Sequence, residues 1–154
     1  MSHTTDREQN LVTKFNLAKV AVMQGHSREQ FRPLQTLAEE ADRAGFKHLA
    51  VECNLYLGQA QIAAREYSHA QEVLQRTLAN AEKLGLQVSL AKGHYLLAEA
   101  LRLGGAQAEA PRQYAETHRI LDEVNKEAHS ENLLKRSDLA QIYQESVSRQ
   151  TPTT

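Results

Sequence analysis

The feature that most constrains this chain is a self-similarity at forty residues. Leu57 and Leu97 are separated by that distance, as are Gly58 and Ala98, Ala60 and Ala100, Ala70 and Ala110, Leu74 and Tyr114, and Gly45 and Gly85. The same interval in the other direction reaches Leu17, Ala18, Val20 and Leu34. Small and apolar positions that keep one period across two helical runs and the turn between them mark stacked units, each too small to bury its apolar face alone. One further step places Ser137 where leucine is due. No fourth copy follows, and the remaining segment is expected to cap the apolar flank of the last unit.

Each unit reads as helix-turn-helix, most clearly in LYLGQAQIAAREYSHAQEVLQRTLANAEKLG, residues 55 to 85. Gly25, Gly45, Gly85 and the pair Gly104 and Gly105 close runs of good helix formers, where glycine tolerates the left-handed cap best. Period-2 runs of β-branched residues are absent, so the fold class is all-α. Thr5 with Glu8 and Ser68 with Gln71 have capping-box spacing and set the expected starts of the first and fourth helices. The first helix is expected from about Asp6 to Gln24. The second begins near Arg32, because Pro33 is tolerated only in a first turn. A third runs from Phe46 to about Ala64, a fourth ends at Gly85, and a fifth covers Gln87 to Leu103. The sixth starts near Ala108 with Pro111 in its first turn and fades near Glu127. Ser130 then caps a last helix, about 131–148, with Leu134, Leu139, Ile142, Tyr143 and Val147 on one seam, and the terminal TPTT frays. The 154 residues thus form a single domain, with repeats at about 6–45, 46–85 and 86–128 and a C-terminal capping helix.

The unit resembles the tetratricopeptide repeat (TPR), whose pattern is W-x2-L-G-x2-Y, then A-x3-F, then P. Leu57 and Gly58 match the L-G pair, and Ala70 with Leu74 fits A-x3-F with an apolar replacement. Leu97, Ala98, Ala110 and Tyr114 fill these slots in the third copy, and Leu17, Ala18 and Leu34 do so in the first. The tryptophan slot holds Lys14, Asn54 and His94. The second tyrosine slot holds Ala21, Gln61 and Leu101, Gln30 stands where the first copy would have alanine, and the closing proline is Asp42, Glu82 and Asp122. Without that proline the second helix continues to the glycine, which lengthens the unit beyond the usual 34 residues. The resemblance spans residues 6 to 128 and implies an α-solenoid of three TPR-like repeats plus the capping helix.

By spacing alone, the first helix of the central unit carries two stripes. Cys53, Leu57, Ala60 and Ala64 form one, small enough for close helix approach. Glu52, Leu55, Gln59 and Ile62 form the next. In TPR proteins the second stripe lines the concave face, so the resemblance assigns partner binding to Val12, Phe15, Lys19 and Val22, to Glu52, Leu55, Gln59 and Ile62, and to Lys92, Tyr95, Glu99 and Arg102. Such a groove runs from an apolar wall to a charged end and suits an extended or helical peptide. The lysine, asparagine and arginine clamp by which some TPR proteins hold chaperone tails is not reproduced, because its slots hold Phe15, Lys19, Tyr56, Lys92 and Leu96 and only Lys92 fits.

The remaining chemistry argues against catalysis. The 18 Lys+Arg against 19 Asp+Glu give no basic excess for nucleic acid. No apolar run approaches the ~20 residues of a membrane span, and the polar opening MSHTTDREQN is not expected to act as a secretory signal. Cys53 is the single cysteine, which excludes an internal disulfide and fits a reducing cytoplasm, and it reads as a small buried hydrophobe. The seven histidines, among them His94 in the tryptophan slot, show no metal-ligand spacing. Phosphate loops, G-x-S-x-G and HExxH are missing. No catalytic residue, metal or cofactor is expected. The expected function is non-catalytic: a cytoplasmic module that binds a protein or peptide segment in its concave groove. The alternative is a regulatory or sensory TPR domain of a larger multidomain signalling protein, or an oligomerisation domain, with a homodimer formed through the C-terminal helix.

Overall fold

A computed structural model of the chain describes residues 3–127 and 137–150. It is all-helical over these residues, without strands. Helix α1 spans His3–Met23, α2 Phe31–Arg43, α3 Lys47–Ala63, α4 Tyr67–Lys83, α5 Gln87–Leu103, α6 Ala110–Glu127 and α7 Ser137–Ser148. Short 3₁₀ turns at Arg28–Gln30 and Gln107–Glu109 precede α2 and α6. These are the two helices with a proline in the first turn, Pro33 and Pro111, where the missing N–H is not needed. The expected cap at Ser130, the seam residue Leu134, His129 and the TPTT tail lie outside the described residues.

The turns explain the forty-residue period. Gly25, Gly45, Arg65, Gly85 and Gly105 all have positive φ, between 64° and 94°. They stand twenty positions apart, so one repeat is two helix-plus-turn units of equal length. At each, the N–H of the following residue reaches back to a carbonyl five positions earlier: Phe46 to Ala41 at 2.8 Å, Glu66 to Gln61 at 2.7 Å, Leu86 to Ala81 at 2.9 Å. This is the bond that closes a Schellman motif and satisfies an orphan helix carbonyl. After Gly45, Arg65 and Gly85 the next helix starts two residues on, and neither expected capping box marks a helix start. Ser68 lies inside α4, whose N-cap is Glu66 and makes no side-chain cap bond, and α1 begins at His3, ahead of Thr5. The left-handed turn, not a side-chain cap, sets where α4 begins.

Helices neighbouring in the chain pack on one another, and α1, α3 and α5 also meet in sequence. The core falls into two clusters. One joins Leu11, Phe15 and Ala18 of α1 to Leu34, Leu37, Ala38 and Ala41 of α2 and to Ala50, Cys53, Leu57 and Ala60 of α3. The other takes Val51 and Leu55 from the far side of α3 and continues through α4, α5 and α6 to Leu139 of α7. Helix α3 therefore serves both cores. Close approach depends on glycine at two points: a Cβ on Gly58 would stand 2.7 Å from Leu74 Cδ2, and one on Gly93 would stand 2.7 Å from Leu78 Cδ2. Fully buried leucines such as Leu34 and Leu74 (0% exposed) each contribute about 1.5–3 kcal/mol by leaving water.

The first copy departs from the other two. Leu57 and Leu97 are 4% and 3% exposed, but Leu17 is 66% exposed; Ala60 and Ala100 are sealed at 0%, but Val20 is 49% exposed. In α3 and α5 this face lies against the preceding hairpin, Leu57 among the side chains of α2 and Gly93 against Leu78 of α4. No described helix precedes α1, so the repeat places an apolar face there that the described structure does not bury.

Two substitutions test this packing. Arg65→Gly relieves a left-handed residue that carries a Cβ and is expected to raise stability by about 1 kcal/mol in urea unfolding. Gly58→Ala gains helix propensity of about 1 kcal/mol but drives a methyl into the immovable Leu74, and is expected to lower stability by about 1–2 kcal/mol net.

Candidate partner-binding groove

Helices α1, α3 and α5 present one side to a groove of about 880 Å³, closed at its α5 end by Gln141 and Ile142 of α7. Of the twelve residues assigned to the concave face, nine line it: Phe15, Lys19, Glu52, Leu55, Gln59, Ile62, Lys92, Tyr95 and Glu99. Val12 is half-buried and is not among the lining residues. Val22 packs into the first core, and Arg102 turns to Glu99 and Tyr114.

The open surface includes a row one residue on from the expected stripe. Phe15 and Leu55 are 6% and 5% exposed and act as packing between hairpins. The positions one step further on, Asn16, Tyr56 and Leu96, form the accessible floor, with Val20, Met23 and Ala63 beside them. One residue is a rotation of about 100°, enough to move a side chain from the core to the groove. The forty-residue register would have found this row, since 16, 56 and 96 are equivalent.

The α1–α3 end is mostly apolar with a cationic edge. Phe15 and Tyr56 meet edge to face at 5.9 Å between centroids, and the Lys19 ammonium lies 4.6 Å over the Phe15 ring, a favourable cation–π distance. Burial raises the Tyr56 phenol pKa, so it stays a neutral donor. Glu52 accepts from the Ser89 hydroxyl at 3.2 Å and stands 3.5 Å from His48. Burial, then the neighbouring Glu52 charge, pushes the Cys53 thiol up to about 12, which keeps it from forming a thiolate.

The α5 end is polar and already engaged from within. Glu99 accepts from Arg102 at 2.9 and 3.0 Å, from Arg149, the residue after α7, at 2.8 Å, and from the Tyr114 hydroxyl. The Tyr95 hydroxyl lies within reach of Glu99 Oε1 at 3.1 Å and of Glu145 on α7, and its one proton serves one of them at a time. Burial, then these carboxylates, raises the Tyr95 phenol. Burial and the Glu99 bond do the same for Tyr114. For Glu145 burial acts upward, but the hydrogen bonds from Tyr95 and Gln141 and the charges of Arg149 and Arg102 outweigh it and hold the carboxyl below its ordinary 4.5. Tyr143 of α7 also donates to Asp122 at 2.9 Å and meets His118 at 3.1 Å. The charged end expected to set a partner's register thus binds α7.

The apolar seam of α7 faces inward: Leu139 is buried, and Ile142 and Tyr143 pack on the second core. Among the described residues of that seam, Val147 is left open at 45% exposed. Among the described residues no helix is long and apolar enough to cross a membrane. No family model matches the chain, and no curated protein or solved structure does.

Removing the Glu99 carboxylate leaves two guanidiniums without their shared counter-charge. Glu99→Ala is expected to weaken α7 docking by about 2 kcal/mol, roughly a 30-fold rise in chymotrypsin cleavage after Tyr143, with α3 and α4 still protected. Acid should act the same way. The folded pKa of Glu145 lies below the ordinary value, so its contribution is present above about 4.5 and lost as pH falls through the lower value.

Proposed function

We propose that the chain is a TPR-like α-solenoid of three helical hairpins with a C-terminal capping helix, and that it works without catalysis, holding a segment of a partner protein in the groove of α1, α3 and α5. The observation that carries this reading is the accessible apolar surface gathered on one concavity. Met23 and Val20, 78% and 49% exposed, border it, and Tyr56 and Leu96 form its floor. Exposed apolar groups scattered singly need no explanation, but a cluster along a groove marks a place where something docks.

The internal contact supports a helix as the occupant. Helix α7 already lies against the α5 end through Ile142, with Glu145 beside Tyr95. A helical segment at the remaining end would place apolar anchors over Tyr56 and Met23, in the helix-in-groove mode. Lys19 and Lys92 line the same floor and favour an acidic residue beside those anchors.

Affinity capture from the native lysate, with variants on two faces, tests this. Tyr56→Ala combined with Lys92→Glu is expected to keep the helical circular dichroism and reduce capture of a discrete partner more than tenfold. Glu72→Lys combined with Arg76→Glu, in the hollow between α2 and α4 on the other side of α3, should leave capture intact. Equal capture by both double variants would refute the groove.

A further inference from the structure

The hollow on the other side of α3, of about 690 Å³, has α3 for its floor and α2 and α4 for its walls. Two amides lie on that floor, Asn54 and Gln61. Seven residues bring a helix back to nearly the same angle, so both stand on one row, about 10.5 Å apart along the axis. The third copy uses the same two places for packing. His94, the counterpart of Asn54, is tied to the Gln113 side chain at 2.7 Å, and Leu101, the counterpart of Gln61, is buried in the second core. Gln61 is a polar side chain at a core position, 8% exposed, and its Oε1 has no hydrogen-bond partner. A buried acceptor without a donor costs folding free energy, so stability does not account for this residue. The amide turns about a soft last side-chain bond, and no bond to the protein holds the oxygen inward, so either end can be presented to the hollow.

The rim sets the electrical character of what fits. Three carboxylates, Glu39, Asp42 and Glu72, and three cations, Lys47, Arg76 and Lys83, line the hollow. A ligand of one sign, such as a nucleic acid or a polyamine, loses against one set what it gains against the other. Asp42 and Lys47 pair with each other at 2.7 Å, while Glu39 on α2 and Arg76 on α4 are exposed on opposite walls.

We propose that this hollow binds a short extended peptide, its main chain laid along α3 and its side chains alternating in charge. A primary amide offers a donor and an acceptor together, as a peptide unit does, so Asn54 and Gln61 match the N–H and C=O groups of a main chain. In an extended chain successive side chains point to opposite sides. A lysine then reaches Glu39 on one wall while the glutamate after it reaches Arg76 on the other. The floor from Lys47 to Gln61 is about 21 Å long at the helical rise, which is the length of roughly six extended residues. The site is separate from the groove of α1, α3 and α5 and stands or falls independently of it.

Nuclear magnetic resonance titration of the isotope-labelled full chain with a capped hexapeptide of alternating lysine and glutamate tests this, read from the side-chain amide signals of Asn54 and Gln61. Both signals should shift and saturate, with dissociation on the order of 100 µM. The same hexapeptide methylated on its main-chain nitrogens has no N–H to donate and should leave both signals in place. Hexalysine and hexaglutamate should bind about tenfold more weakly or not at all. Gln61→Leu, which installs the residue type of the third copy, should keep the wild-type helicity and weaken binding about tenfold, read from Asn54. Arg76→Glu, at an exposed position, should weaken it as well. Tyr56→Ala combined with Lys92→Glu should bind the hexapeptide as the wild type does, which separates this site from the groove. Unmoved amide signals in the wild type, equal binding of the methylated peptide, equal or tighter binding of a single-sign peptide, undiminished binding by Gln61→Leu or Arg76→Glu, or a loss in the groove variant would each overturn the proposal.

Discussion

Every helix from α1 to α5 ends at a residue of positive φ, and these residues recur every twenty positions. That spacing fixes α3, α4 and α5 at seventeen residues each and brings each helix back in the same rotational phase. Equivalent rows then face equivalent neighbours: Leu57 and Leu97 toward the preceding hairpin, Leu55 and Tyr95 toward the following elements, Tyr56 and Leu96 toward the groove. A turn of different length would rotate every following helix by about 100° per residue and scatter these rows. Arg65 holds the left-handed conformation where glycine serves elsewhere, which shows how firmly the helices on either side determine the turn.

Much of this was legible because it is periodic. Helix existence, the span of α5 and the glycine stops follow from composition and spacing, and the forty-residue register identified the buried rows of the second and third copies. Leu17 and Val20 misled because the register describes what a helix offers, while burial depends on whether a neighbour accepts it. The row Asn16, Tyr56 and Leu96 was left out of the expected groove for a related reason. A half-turn of helix contains both Leu55 and Tyr56, both apolar in character, and only the position of α5 decides that the leucine is core and the tyrosine is floor. Capping boxes failed as start signals for α1 and α4, since the residue pair is short-range and common and, at α4, the turn geometry overrides it.

The two ends of the chain are treated differently. At the C-terminal end α7 lays Leu139, Ile142 and Tyr143 on the second core and a charge network joins it there, with Glu99 receiving bonds from α5, from α6 and from Arg149 just after α7. Glu99 is distant in sequence from Tyr114 and Arg149, so nothing in the local pattern marks it as a hub, and its place in the stripe suggested a partner-facing role instead. At the other end α1 offers leucine, valine and methionine to solvent. Terminal units of stacked folds need a polar outer face or a cover, and α1 has neither among the described residues.

A quasi-one-dimensional stack, in which each hairpin is held by its neighbours, should unfold from its ends inward. Native-state hydrogen exchange, followed amide by amide in low urea, measures this most directly. The amides of α3, α4 and α5, flanked on both sides, are expected to exchange only through the costliest openings, and those of α1 and α7 through cheaper local ones. A single opening free energy shared by all seven helices, with α1 as well protected as α4, would contradict the stacked arrangement.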